Sequence, residues 1–230
     1  SQILNNLNRL GVIFFHGLTF SGRNNIYQGN SGFYSTLYLI DNSQFTDENP
    51  KIYENSVNPP HPLFGVQPQG ALITLVGGRL TIRGAEMKNN TSTGGLINAA
   101  EATITIDTTT ITENNFAGLV LLGTFISQSK VTFTNSFITN NQLANHPDPL
   151  TSSLTGGIIV GYTSTFTLTN IVFENNTIFG GYTLIYLSSP TFTMQGSRFV
   201  NNTKTLTQES QDDMLIFASF GTFSVTKTSF

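Results

Sequence analysis

Apolar and polar residues alternate with period two in six short segments: RLTIRG (79–84), TITID (103–107), KVTFTN (130–135), TFTLTN (165–170), TFTMQG (191–196) and TFSVTK (222–227). Such alternation marks a strand with one face buried. Upstream of each lies a mostly apolar run, often opened by glycine: ALITLV (71–76), GGLINAA (94–100), GLVLLG (118–123), GGIIVG (156–161), GGYTLIYL (180–187) and MLIFASFG (214–221). Downstream comes a third segment that ends in paired asparagines: AEMKNN (85–90), TITENN (110–115), SFITNN (136–141), IVFENN (171–176) and SRFVNN (197–202). A further Asn-Asn pair stands at 24–25, and QFTDEN (44–49) is a weaker copy.

Each unit therefore reads as three short strands. Three inward columns follow. The first holds Ile13, Tyr38, Leu80, Ile104, Val131, Phe166, Phe192 and Phe223. The second holds Phe15, Ile40, Ile82, Ile106, Phe133, Leu168, Met194 and Val225. The third holds Phe20, Phe45, Met87, Ile111, Phe137, Phe173, Phe199 and Phe230. One such unit cannot bury its own apolar face, so stacked copies must share a continuous core. A closed barrel would not repeat one three-strand order with the same turn chemistry, and propeller repeats carry four strands over ~40–45 residues. The pattern predicts an all-β fold: a single-stranded parallel β-helix of about eight coils of three strands, roughly 38 Å long at ~4.8 Å per coil.

Asparagine tolerates the left-handed backbone and bonds locally in turns. The pairs thus predict a stacked turn with an asparagine ladder through Asn89, Asn114, Asn140, Asn175 and Asn201. Gly17, Asn42, Gly84, Asn170 and Gly196 mark a second tight corner, between the second and third strands. GGLI, GGII and GGYT, together with FITN, FENN and FVNN, resemble the GGA[ILV] and FxxN repeats of chlamydial polymorphic outer membrane proteins. More broadly they resemble right-handed parallel β-helices of the pectin-lyase-like superfamily. The resemblance covers residues 71–230 well and 11–49 weakly, and Leu96, Ile158 and Tyr182 replace the alanine of the GGA motif. It implies a secreted or surface protein: some members adhere, others bind or cleave polysaccharides, and similar repeats occur in Asn/Thr-rich surface proteins of protists.

Insertions follow the Asn-Asn turn at 26–35, 50–70, 142–155 and 203–213, which would bring loops to one edge of the stack. The chain is expected to form one β-helix domain over residues 1–230. SQILNN (1–6) resembles SRFVNN, as if the chain began inside a previous coil, and Phe230 falls before its expected turn. The expectation is a segment of a longer array or a module that stacks end to end on a partner.

Composition narrows the function classes. Only 10 Lys+Arg and 13 Asp+Glu occur in 230 residues, with net charge −3 and no Cys. That excludes disulfides, thiol chemistry and a basic nucleic-acid footprint. Thr 33, Asn 24 and Ser 20 supply the polarity instead, and no segment approaches the ~20 apolar residues of a membrane span. Carboxylates are scattered: Glu113 and Glu174 share a column position two coils apart, Asp107 faces outward from a second strand, and Asp212-Asp213 reads as a solvated turn. His61, His146 and Asp148 could meet at a metal, but exposed loop histidines are the simpler reading; His16 stands elsewhere. No catalytic residue, metal site or cofactor is assigned. Sequons stand at Asn89, Asn90, Asn175 and Asn201, candidates for N-glycosylation. A threonine column (Thr81, Thr105, Thr132, Thr167, Thr193, with Ser224) would suit ice binding, but Arg79, Arg83, Lys130, Asp107 and Gln195 flank it. The reading is a non-enzymatic extracellular or cell-surface module, structural or adhesive, in a surface assembly or filament. Its expected partners are protein through end-to-end stacking, and glycans. The alternatives are a polysaccharide-binding or polysaccharide-cleaving β-helix and an ice-binding protein.

Overall fold

The structure, a computed structural model, describes residues 1–8, 13–32, 36–57, 71–92, 95–116, 120–122, 128–143, 159–179, 185–205 and 216–230. Every strand pairing is parallel, and each partner lies one coil further along the chain. The chain is a parallel β-helix. A broad 13-stranded sheet carries the first and second strands, which fuse into single long strands at Leu37–Glu48, Ile73–Arg83 and Ile97–Asp107. An 8-stranded sheet carries the third strands, from Gln2–Leu4 to Arg198–Val200. A second 8-stranded sheet is made of short fourth strands, from Leu7–Asn8 to Thr203–Thr205. Among the described residues no helix is long and apolar enough to cross a membrane.

The fourth strand corrects the expected three. It is two or three residues long, too short for a period to be legible, and it directly follows the Asn-Asn turn. The stretches read as insertions therefore begin as regular strands: Ile26–Gln28 with Ser31–Gly32, Lys51–Tyr53 with Ser56–Val57, Gln142–Leu143, and Thr203–Thr205. The remainders, 33–35, 58–70, 144–155 and 206–213, lie outside the described residues.

The second-strand columns from Leu80 and Ile82 onward stand as expected, and they are buried up to Phe192 and Met194. In the first coils the register differs. Phe20 and Phe45 pair in line with Leu80, so they belong to the second strand rather than the third. Gly22 and Asp47 fill the next inward position, in line with Ile82. Ile13 and Phe15 lie on the first strand, in line with Leu37 and Leu39, and Tyr38 and Ile40 take the alternate positions. Gly17 and Asn42 accordingly sit at the corner between first and second strands. Third-strand centres run Ile3, Tyr27, Ile52, Met87, Ile111, Ile138, Phe173 and Phe199. Phe137 is 52% exposed while Ile138 is 1% exposed, so the larger residue lost the core position to its neighbour. Strand pairing decides here, because a one-residue slip would turn every side chain to the other face. Ile3 lies beside Tyr27, a normal 24-residue repeat.

The core is a stack of like residues. Phe173 lies on Phe199 at 4.5 Å and 7°, and Phe192 on Phe223 at 4.9 Å and 7°. The coil turns through left-handed corners. One row is Asn24, Asn49, Gly84, Thr108, Asn135, Asn170, Gly196 and Lys227. A second is Asn5, Gly29, Glu54, Asn89, Glu113, Asn140, Asn175 and Asn201. Asn and Gly dominate these two rows because they enter this region at least cost. A third row, between first and second strands, includes Gly17, Asn42, Gly77, Glu101, Thr163, Ser189 and Phe220.

Candidate functional site

The second strands of the last five coils carry outward side chains in strict register. Thr103, Lys130, Thr165, Thr191 and Thr222 form one column, and Thr105, Thr132, Thr167, Thr193 and Ser224 the next. Asp107, Thr134, Thr169, Gln195 and Thr226 form the third. Strand geometry spaces the columns about 7 Å apart and their members about 4.8 Å apart. Threonine suits this role because its β-branch restricts χ1, fixing hydroxyl and methyl directions. Thr134 donates to Asp107 Oδ1 at 2.6 Å. The other hydroxyls of the grid have no side-chain partner among the described residues, so they are free to bond water or a hydroxylated ligand. Charge on this face gathers toward the N-terminal coils, at Arg79, Arg83 and the Arg23–Glu48 pair at 2.6 Å, and the grid columns of the last three coils hold none. The Thr134 hydroxyl bonded to Asp107 holds its carboxyl below the usual aspartate range; burial opposes this, and Asn135, Thr108 and Arg83 assist.

The acidic residues do not converge. Glu113 takes a left-handed turn position, whereas Glu174 ends a third strand, so the two do not share a column. Glu113 instead pairs with Lys88 at 3.1 Å. Tyr53 donates its phenol to Glu86. His16 meets Asp41 at 2.7 Å in an exposed pair. Among the described residues no three His, Asp or Glu side chains gather where one ion could bind them. His61, His146, Asp148, Asp212 and Asp213 lie outside the described residues.

An asparagine ladder exists, but it runs through the second residue of most pairs. Its rungs are Asn6, Asn30, Asn55, Asn90, Asn114, Asn141, Asn176 and Asn202. Each Oδ1 from Asn30 onward accepts both the backbone N–H and the Nδ2 of the preceding rung, at 2.9–3.1 Å. From Asn30 to Asn202 each rung's Nδ2 also donates to the third-strand carbonyl one coil back, from Ile3 to Phe173. Of the expected set only Asn114 is a rung, because its pair is shifted by one and Glu113 takes the turn. Asn89, Asn140, Asn175 and Asn201 occupy the left-handed turn itself and point to solvent. The backbone conformation decides: a left-handed residue throws its Cβ outward, and the next residue turns in.

Sequence reasoning missed a buried polar node in the early coils. Asp47 is fully buried, and its Oδ2 accepts from the Tyr27 hydroxyl at 2.7 Å and from Asn25 Nδ2 at 2.9 Å. Its Oδ1 has no partner among the described residues. Burial, then the bond to Asp47, pushes the Tyr27 phenol well above its usual range. Tyr27 and Thr36 also border a cavity of about 20 Å³, the volume of roughly one water. A correct register would have shown the node, since Asp47 then stands alone in a column of apolar residues.

Stacked parallel coils with an internal asparagine ladder define the class of a β-solenoid. A family described as right handed beta helix region matches residues 69–221, more than half of the chain, and the chain belongs to that family. A comparison with curated proteins finds no match.

Proposed function

We propose that the chain is a non-enzymatic structural or adhesive module of an extracellular surface assembly, a rod that extends by adding coils. One observation carries this reading. Successive coils repeat one parallel register in all three sheets, tied together by the asparagine ladder from Asn6 to Asn202. Phe223 and Phe230 continue the phenylalanine stacks of Phe192 and Phe199 at 4.9 and 5.0 Å. In such a stack each coil offers strand edges with an apolar column behind them, a template for another coil.

Sedimentation velocity over a concentration series, with electron microscopy, tests it. The expected result is growth into rods whose width stays constant, abolished by Phe223→Asp with Phe230→Asp. A monomer at every concentration, or growth indifferent to these substitutions, would sink the idea. The free hydroxyl grid favours a second reading, binding of a neutral polysaccharide. Retention on insoluble neutral glycans, lost in a Thr167→Glu/Thr193→Glu variant, would separate it from a purely structural role.

A further inference from the structure

We propose that Asn89, Asn175 and Asn201 are acceptors for N-linked glycan, and that Asn90, despite its own sequon, is not. The proposal rests on the extracellular reading above for its biological setting, but its structural logic is separate. In the transfer, Asn Nδ2 bonds to C1 of an oligosaccharide carried on a lipid diphosphate. The C1–O bond breaks, the diphosphate leaves with the electron pair, and Nδ2 gives up one proton to a base of the transferase. The modified nitrogen keeps one hydrogen where it had two.

A rung asparagine needs both. Asn90 Nδ2 donates to Ile52 O at 2.8 Å and to Asn114 Oδ1 at 2.9 Å, and the residue is wholly buried. Glycosylation there would delete one of these bonds and force a sugar into the packed corner between coils. The turn asparagines face the opposite condition. Asn89, Asn175 and Asn201 have φ of 54°, 53° and 50°, are exposed, and have no side-chain partner among the described residues. The hydroxyl residue each sequon requires is Thr91, Thr177 or Thr203, which opens the fourth strand and faces outward. The ladder residue thus always fills the middle of the sequon, where any residue but proline serves.

The same register removes the other coils. Asn140 is followed by Asn141 and Gln142, Asn5 by Asn6 and Leu7, and the remaining turn positions are Gly29, Glu54 and Glu113. The three acceptors therefore lie on one edge, between third and fourth strands, in the fourth, seventh and eighth coils of the third-strand sheet. The third-strand sheet separates that edge from the hydroxyl grid, so sugar on it leaves the grid uncovered.

The test is secretion of the chain from a eukaryotic host, followed by peptide mapping after enzymatic glycan release in heavy-oxygen water. Each released site is read as an Asn converted to labelled Asp. The expected result is label at Asn89, Asn175 and Asn201 and none at Asn90. Asn89→Gln should leave the 89–90 pair bare, while Asn90→Gln should keep the glycan on Asn89 even where it loosens the fold. Glycan on Asn90 in folded protein, or three bare turn asparagines beside a glycosylated control sequon, would overturn the proposal. Neither outcome touches the assembly assay, so the two readings fail separately.

Discussion

Asn114→Ala isolates the contribution of a single rung. Asn114 Oδ1 accepts from Asn90 N and Asn90 Nδ2, both at 2.9 Å, and Asn114 Nδ2 serves Asn141 Oδ1 at 2.9 Å and Met87 O at 3.0 Å. Alanine leaves two buried donors on Asn90 without this acceptor, and an unsatisfied buried group costs about 1–3 kcal/mol. The Asn141 oxygen keeps the Asn114 backbone N–H at 3.0 Å, so its loss is smaller. The sum is about 4 kcal/mol, at the upper end for a single substitution. Asn89→Ala is the control: it lacks side-chain bonds and pays only the left-handed backbone, about 1–2 kcal/mol. Coils couple mainly to their neighbours. The assay is therefore the urea midpoint by circular dichroism together with hydrogen exchange at the Asn90 amide, which loses its acceptor directly. Asn114→Asp separates donor from acceptor. It keeps Oδ1 but buries a carboxyl, whose folded pKa burial raises. Its residual stability is then present below the ordinary aspartate pKa and lost as pH rises through the folded value. A midpoint loss for Asn114→Ala no larger than for Asn89→Ala, with the Asn90 amide still protected, would refute the ladder as a stabilising element.

Gly161 sits opposite Phe166, and a Cβ there would lie 2.4 Å from the ring. Gly161→Ala should cost about 1–3 kcal/mol by overpacking, and much of that cost should vanish in a Phe166→Leu background, read by a double-mutant denaturation cycle. Asp107 should titrate below an ordinary aspartate by carboxyl NMR, and Thr134→Val should move it upward, since the Thr134 bond is the largest cause of the shift. The folded pKa is depressed, so the associated stability is present above the unfolded pKa and lost as pH falls through the folded one. Like Tyr53, whose phenol burial and Glu86 also push up, Tyr27 should stay protonated in ultraviolet titrations past the ordinary tyrosine range. Because its folded pKa is raised, its stabilising share is present below the ordinary tyrosine value and lost as pH climbs above it. Tyr27→Phe removes one of the two donors to Asp47 Oδ2 and should cost about 1–3 kcal/mol in chemical denaturation.

The repeat, the parallel stack of coils and the buried columns from Leu80 to Met194 were legible in the amino-acid sequence. The reason is physical: a strand with one buried face must alternate, and stacking forces the same alternation in every coil. The low charge follows too, since a charge repeated down a column would meet its like one strand spacing away. The tertiary structure alone decided the rest. In the early coils Phe15, Phe20 and Phe45 satisfy more than one alternating register, and only pairing across coils chooses among them. Phe137 and Ile138 are both apolar, and the corner at Asn135 and Ser136 selects which one turns inward. The two asparagines of a pair are chemically identical. The left-handed turn makes one a solvent-facing residue and the next an internal rung, and that single difference in φ separates the candidate modification edge from the element that holds the coils together.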